Sequence, residues 1–182
     1  DKGFMINKQK YNENSVIAEF FTENNGKISG LIFGATSAKI KNFLLLGNLF
    51  RLQYNSKNQN RVGYFKVEID KIFTPYYLDH KVKLSCILYS LNLIKILTVE
   101  NQSNLSIYNQ LYKLYEILKL DDWIKKYIFW ELEVIKIVGY DINFNHYIDT
   151  SQTSKTSSYI RTIDGSKEIP SFLLKNDDRE TN

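Results

Sequence analysis

Tyr11-Asn12-Glu13-Asn14-Ser15-Val16-Ile17-Ala18-Glu19-Phe20-Phe21-Thr22 is the stretch that decides the fold. A polar turn gives way to a β-branched and aromatic run, which predicts a strand over Ser15 to Glu23. Asn24-Asn25-Gly26 then supplies a tight turn, and Lys27 to Phe33 reads as the returning strand of a hairpin. Working outward, Gly3 to Lys8, Leu44 to Tyr54 and Val62 to Asp70 have the same character, separated by Gly, Asn and Ser clusters that include Gly34-Ala35 and Gly47-Asn48. Five short strands with one lysine-bearing loop, Gly34 to Asn42, predict a small closed β-barrel of the OB-fold type. Thr74-Pro75 ends it, because the residue before a proline is driven out of helical geometry.

Beyond Tyr76 the period changes. Val82, Cys86, Tyr89, Leu93, Ile96 and Leu97 recur at three- and four-residue intervals, as do Ile107, Leu111, Leu114, Tyr115 and Leu118, so each run predicts one face of a helix. A third helix is expected from Asp121-Asp122, whose carboxylates suit a helix N-terminus, to Gly139, a C-terminal cap. After Tyr140 the chain turns polar, and Tyr159 to Ile163, Asp164-Gly165 and Lys167 to Ile169 read as a small hairpin on a two-residue turn. The expected class is α+β: residues 1–74 an OB-fold barrel, 75–146 a helical domain, 147–169 a hairpin insertion, and 170–182 the start of a further helical segment.

Composition narrows the function. The 182 residues are 43% hydrophobic, enough for a packed core. The net charge of +4 is unevenly placed: residues 1–78 carry 11 Lys and Arg against 6 Asp and Glu, or +5, and residues 79–182 carry 13 against 14, or −1. A basic barrel beside a neutral helical half points to a polyanion on the barrel, while a solvated lysine-rich surface accounts for the same charge. Cys86 is the only cysteine, so neither an internal disulfide nor a four-cysteine metal site can form. No basic-then-apolar signal segment is visible, and the apolar window Val82 to Leu97 is too short and too polar to span a bilayer, so a cytoplasmic protein is expected. Because the chain begins at Asp1, its native start is expected to be missing.

No residue pattern looks catalytic. His80 and His146 stand far apart and outside any ligand pair. Gly26, Gly30 and Gly34 lack the spacing of a phosphate-binding loop, and Glu131 and Glu133, two apart on a helix, cannot share a face. The constellation that remains is cationic: Lys8, Lys10, Lys27, Lys39, Lys41, Arg51 and Arg61 sit on elements that a closed barrel can bring to one groove, an electrostatic track for single-stranded nucleic acid. Tyr11, Tyr54, Tyr64 and Phe65 are candidate stacking residues. Alternation allows only one of Tyr64 and Phe65 to face outward, and the hydroxyl favours Tyr64. Three functions fit these residues: single-stranded DNA binding, an RNA-binding OB-fold module, and an adaptor whose helices bind protein while the barrel is scaffold.

The order of motifs resembles the RecO family of bacterial recombination mediators. Y-x-E-x-S is met at Tyr11, Glu13 and Ser15, F-T-x-x-x-G-x-x-x-G at Phe21, Thr22, Gly26 and Gly30, and G-A at Gly34-Ala35; Trp130-Glu131-Leu132, Gly139-Tyr140 and Ile169-Pro170-Ser171-Phe172-Leu173 match later family segments. The resemblance implies a non-enzymatic, nucleoid-associated protein without a cofactor. It would bind single-stranded DNA, and duplex DNA too, anneal complementary strands, and work with RecR to load RecA onto strands covered by single-stranded-DNA-binding protein. It implies DNA contact at Lys27, Lys39 and Lys41. It also implies a pocket for the acidic C-terminal tail of the single-stranded-DNA-binding protein, for which Lys125, Lys126 and Tyr127 have suitable chemistry. Phe129 stands where relatives place a basic residue. Paired C-x-x-C motifs that hold zinc in many relatives are absent here, so a zinc-free hairpin is expected, as is a C-terminal domain cut short after Leu174.

Overall fold

The computed structural model describes residues 1–56, 62–140, 142–149 and 158–174, with backbone alone for residues 38, 39 and 145. They fall into two compact units, Asp1–Val138 and Gly139–Asn182, so the boundary expected after residue 74 lies inside the first unit.

Five strands, β1 (Lys2–Lys10), β2 (Ser15–Thr22), β3 (Gly26–Phe33), β4 (Leu49–Asn55) and β5 (Tyr64–Lys71), close a barrel in the order β1-β2-β3-β5-β4. This is the OB-fold barrel read from the turns. A four-residue helix α1 (Ala38–Lys41) interrupts the long loop between β3 and β4, and Leu44, expected to open the fourth strand, lies in that loop as a buried plug. Three helices follow: α2 (Lys81–Leu97), α3 (Leu105–Ile117) and α4 (Trp123–Ile137). Among the described residues no helix is long and apolar enough to cross a membrane.

Strand alternation builds two cores on one wall. Met5, Ala18, Phe20, Ile28, Ile32, Phe50, Leu52 and Phe65 fill the barrel interior. Phe4, Ile6, Phe21 and Leu49 point the other way and join Ile87, Leu91, Ile107, Leu111, Tyr115 and Trp130 in a second cluster with the helices. Phe4 is the centre of that seam, its ring 5.0 Å from Tyr112 and 5.6 Å from Tyr108. Edge-to-face pairs of this kind add roughly 0.5–1.5 kcal/mol each beyond area burial.

A bulge between Met5 and Asn7 has a larger effect than its size. Register runs Met5 to Phe20 but Asn7 to Glu19, so Ile6 is the extra residue. From there on every side chain of β1 changes face, and Lys8 stands opposite Ala18 on the interior side at the barrel mouth.

The helices carry the predicted stripes unequally. In α3 the expected Ile107, Leu111, Leu114, Tyr115 and Leu118 are all buried, and the Asn104 side chain caps the helix by accepting from the Ile107 N–H at 3.0 Å. In α2 the buried residues are Ile87, Ser90, Leu91 and Ile94, whereas Val82, Tyr89 and Ile96 are exposed. The predicted stripe is half right: Cys86, Leu93 and Leu97 are partly buried against the core, while Val82, Tyr89 and Ile96 face water because the packed face is centred on Ile87, Leu91 and Ile94.

Two glycines lock barrel to helices. At Gly26 (φ +67°) a Cβ would collide with the Gln102 carbonyl, since the α2–α3 connection runs against this turn and bridges Lys27 to Glu100. At Gly47 (φ +84°) a Cβ would meet the Tyr115 hydroxyl, which donates to the Gly47 carbonyl at 2.8 Å. Beside it Asn48, fully buried, accepts from the N–H groups of Phe73 and Thr74 and donates to the Phe43 carbonyl, so the chain leaving the barrel is pinned to the chain entering β4.

In the second unit, β6 (Ser158–Thr162) and β7 (Gly165–Ile169) pair Thr162 with Gly165. The two-residue turn is thus Ile163-Asp164, one residue earlier than read from the sequence. Buried Asp149 organises this hairpin: its N–H donates to the Tyr159 carbonyl at 2.7 Å, and its carboxylate accepts from the Ser166 hydroxyl and pairs with Arg161 at 3.5 Å. Among the described residues no cluster of His, Cys, Asp or Glu could hold a metal.

Candidate nucleic-acid interface

The expected cationic track divides in two. Lys8 and Lys10 occupy the last turn of β1, beside the exposed 11–14 connection and the loop that carries α1. Lys8 reaches across the mouth to donate to the Leu44 carbonyl at 2.6 Å, and partial burial pushes its ammonium below the ordinary lysine value. Lys41 is exposed at the end of α1, in the loop tied to the same turn by the Ala35 N–H to the Asn14 carbonyl and the Thr36 hydroxyl to the Asn14 side chain. Lys8, Lys10 and Lys41 are therefore brought together. The backbone of Lys39 shares that helix, while its side chain and the whole of Arg61 lie outside the described residues.

Lys27 and Arg51 are spent elsewhere. The Lys27 ammonium donates to the carbonyls of Lys95 at 2.8 Å and Thr98 at 2.5 Å, capping the C-terminal end of α2 where unpaired carbonyls and the helix dipole favour a cation. Arg51 bonds Asp70 at 2.7 Å, with Lys2 a second partner at 3.4 Å; the Asp70 side chain is 7% exposed. The Arg51 hydrogen bond, and then Lys2, hold the Asp70 carboxyl below the usual carboxylate range against the opposing effect of burial. Arg51 pairs with Lys2 in the register, roughly 20 Å of strand away from Lys8. A shallow groove at that far end mixes Lys2, Arg51 and Lys66 with Asp1, Glu23 and Glu68, a balance of signs unlike a polyanion track.

The aromatic candidates sort by alternation. Phe65 is 3% exposed and belongs to the interior, while Tyr64 is half-buried on the outer face. Tyr11 is exposed next to Lys10, whereas exposed Tyr54 lies beyond Arg51 on β4, its hydroxyl accepting the Gly63 N–H at 3.2 Å. Two residues were missed. Exposed Phe33 ends β3 with its ring 5.8 Å from Tyr64, and exposed Lys66 follows Tyr64 on the same face of β5. Counting by twos from Tyr64 gives Lys66, so that signal was available; Phe33 was hidden at a strand end.

On α4, Tyr127 does not line a surface pocket. It is 8% exposed, its hydroxyl lies 3.2 Å from that of Ser90 and donates to the Cys86 carbonyl at 3.3 Å, and its ring stacks on Trp130. The residue falls on the α2-facing side of the helix, which composition around it did not reveal. Trp130 is core, donating to the Gln110 carbonyl at 2.8 Å. Lys126 pairs with Asp122 at 3.4 Å and Lys125 lies over the Phe129 ring, both at the surface. Exposed His80 and His146 join no cluster of possible metal ligands among the described residues.

Comparison with known proteins covers both halves of the chain. Residues 1–73 match the family model described as "Recombination protein O N terminal" and residues 81–176 the one described as "Recombination protein O C terminal". The DNA repair protein RecO of Ehrlichia chaffeensis is 27% identical over 147 residues, which cover 80% of this chain and 59% of the relative. Its counterpart from Rickettsia canadensis is 28% identical over 145 residues, covering 80% of this chain and 60% of the relative. The DNA repair protein RecO of Rickettsia felis is 26% identical over 194 residues, covering 100% of this chain and 81% of the relative. The chain thus spans about three fifths of the length of the first two relatives.

Proposed function

The chain belongs to the RecO family, and from that premise we propose that it serves DNA repair by holding single-stranded DNA on the mouth of its barrel, without catalysing a reaction. The observation that carries this reading is the gathering of Lys8, Lys10 and Lys41 at one end of the barrel beside exposed aromatic rings. Cations track the phosphates there while π-faces remain available to bases. Lys8 holds one carbonyl and stays exposed at the mouth, whereas Lys27 is committed to two carbonyls at the end of α2 and Arg51 to Asp70 at the Lys2 end of the barrel, so these two are left out of the surface.

To this reading we add, as further proposals that the family resemblance suggests, annealing of complementary strands, cooperation with RecR, and RecA loading onto strands covered by single-stranded-DNA-binding protein. Annealing has a physical basis, since a cationic surface that holds two strands screens their repulsion and raises their local concentration. For the tail of single-stranded-DNA-binding protein, Lys125 and Lys126 at the surface of α4 remain the candidate cations and Tyr127 is withdrawn.

The test replaces Lys8, Lys10 and Lys41 together by alanine and titrates labelled single-stranded DNA at several salt concentrations. Affinity falls, and the plot of log K against log salt becomes shallower by about 2, given about 0.7 per phosphate contact on single strands. Unaltered affinity and slope refute the site. Competition with RNA of the same sequence separates this reading from an RNA-binding module.

A further inference from the structure

Phe33 is 57% exposed at the end of β3, and Tyr64 stands beside it at the start of β5 with ring centroids 5.8 Å apart and planes inclined by 52°. Their sequence neighbours Ile32 and Phe65 fill the barrel interior, so register holds both rings on the outer face. Leu31 pairs with Tyr64 and is the single registered contact between β3 and β5, which leaves the two rings flanking the seam of the barrel rather than buried in it. A phenylalanine kept mostly in water, paired with a second ring and next to a cation, is surface organised for a partner with a flat apolar face.

We infer that the Phe33–Tyr64 pair is a stacking platform for unpaired nucleobases and makes the barrel selective for single strands over duplex. The inference rests on the proposed DNA-binding function and deepens it by naming the residue pair that sets the preference for single strands. Lys66, two residues beyond Tyr64 on the same face and exposed, stands at the edge of the mixed-sign groove with Glu68 following it, so it supplies no more than one phosphate contact beside a base lying on the rings. Lys10 extends the positive charge at the mouth, and Glu13 is the acidic residue of the neighbouring turn. In a duplex each base already has both faces covered by its neighbours, so the rings gain nothing from it. An unpaired base offers a free face whatever its identity, which makes the platform indifferent to sequence.

Fluorescence anisotropy of the full chain with labelled oligothymidylate and with a blunt duplex tests this. Phe33→Ala lowers single-strand affinity about ten-fold and leaves duplex affinity and the salt slope of both unchanged; Phe33→Trp, which keeps a platform, restores single-strand binding. Equal losses on both polymers, or no loss on the single strand, overturn the stacking role while the cationic site stands. Wild-type protein that binds neither polymer refutes the underlying function and this inference with it. Unchanged thermal melting of both variants verifies that they are folded.

Discussion

Lys27→Met separates two roles that the sequence could not distinguish. The substitution keeps the aliphatic stem and removes the ammonium that donates to the carbonyls of Lys95 and Thr98. A hydrogen bond to a charged group is worth roughly 1.5–3 kcal/mol, and a cation at a helix C-terminus adds about 0.3–1 kcal/mol. Lys27 is only half-buried, so water replaces part of what is lost, and the expected destabilisation is about 2 kcal/mol. For a chain of this size that lowers Tm by roughly 4–8 °C. The paired assay is thermal unfolding and titration of single-stranded DNA across a salt series. The structure requires a lower Tm with an unchanged salt slope. A slope shallower by about 0.7 with Tm intact would show Lys27 on a phosphate instead and would refute its assignment to the end of α2.

Gly47→Ala forces a methyl group against the Tyr115 hydroxyl at a left-handed backbone position, and roughly 2–4 kcal/mol of stability is lost in urea unfolding. Tyr115→Phe alone loses about 1 kcal/mol with its bond to the Gly47 carbonyl, yet added to Gly47→Ala it recovers part of the deficit; strict additivity would show the contact to be irrelevant. Asp70, held below the usual carboxylate range by Arg51 and Lys2, contributes stability that is present above its unfolded pKa and lost as pH falls through the lowered folded value. Asp70→Asn therefore flattens the acid limb of the stability curve below about pH 4, and an unaltered limb would remove Asp70 from the acid response.

The barrel was legible because its signals are local. Alternation and the Asn24-Asn25-Gly26 turn define β2 and β3, and the same alternation places Tyr64 outward from Phe65. What escaped depends on distant residues. Lys27 meets its carbonyl partners 68 and 71 positions away, so no window around it reveals that its charge is already used. Lys8 reaches the mouth because of one bulged residue, Ile6, which strict counting by twos ignores. In α2, Val82 and Tyr89 looked like core for want of any means to see that β1 packs on the opposite side, at Ile87, Leu91 and Ile94. Tyr127 failed for the same reason, its chemistry suiting an interface while its direction belongs to the interior.

The tripeptide Phe4-Met5-Ile6 is buried on both sides of its strand. It follows that the OB-fold here is not a transplantable module. Severed after residue 74, it would turn Phe4, Ile6, Phe21 and Leu49 out into water as one contiguous greasy strip, an invitation to self-association rather than a minimal DNA-binding fragment. Barrel and helices must melt together, and whatever strains the helical layer is felt by the wall that carries the lysines.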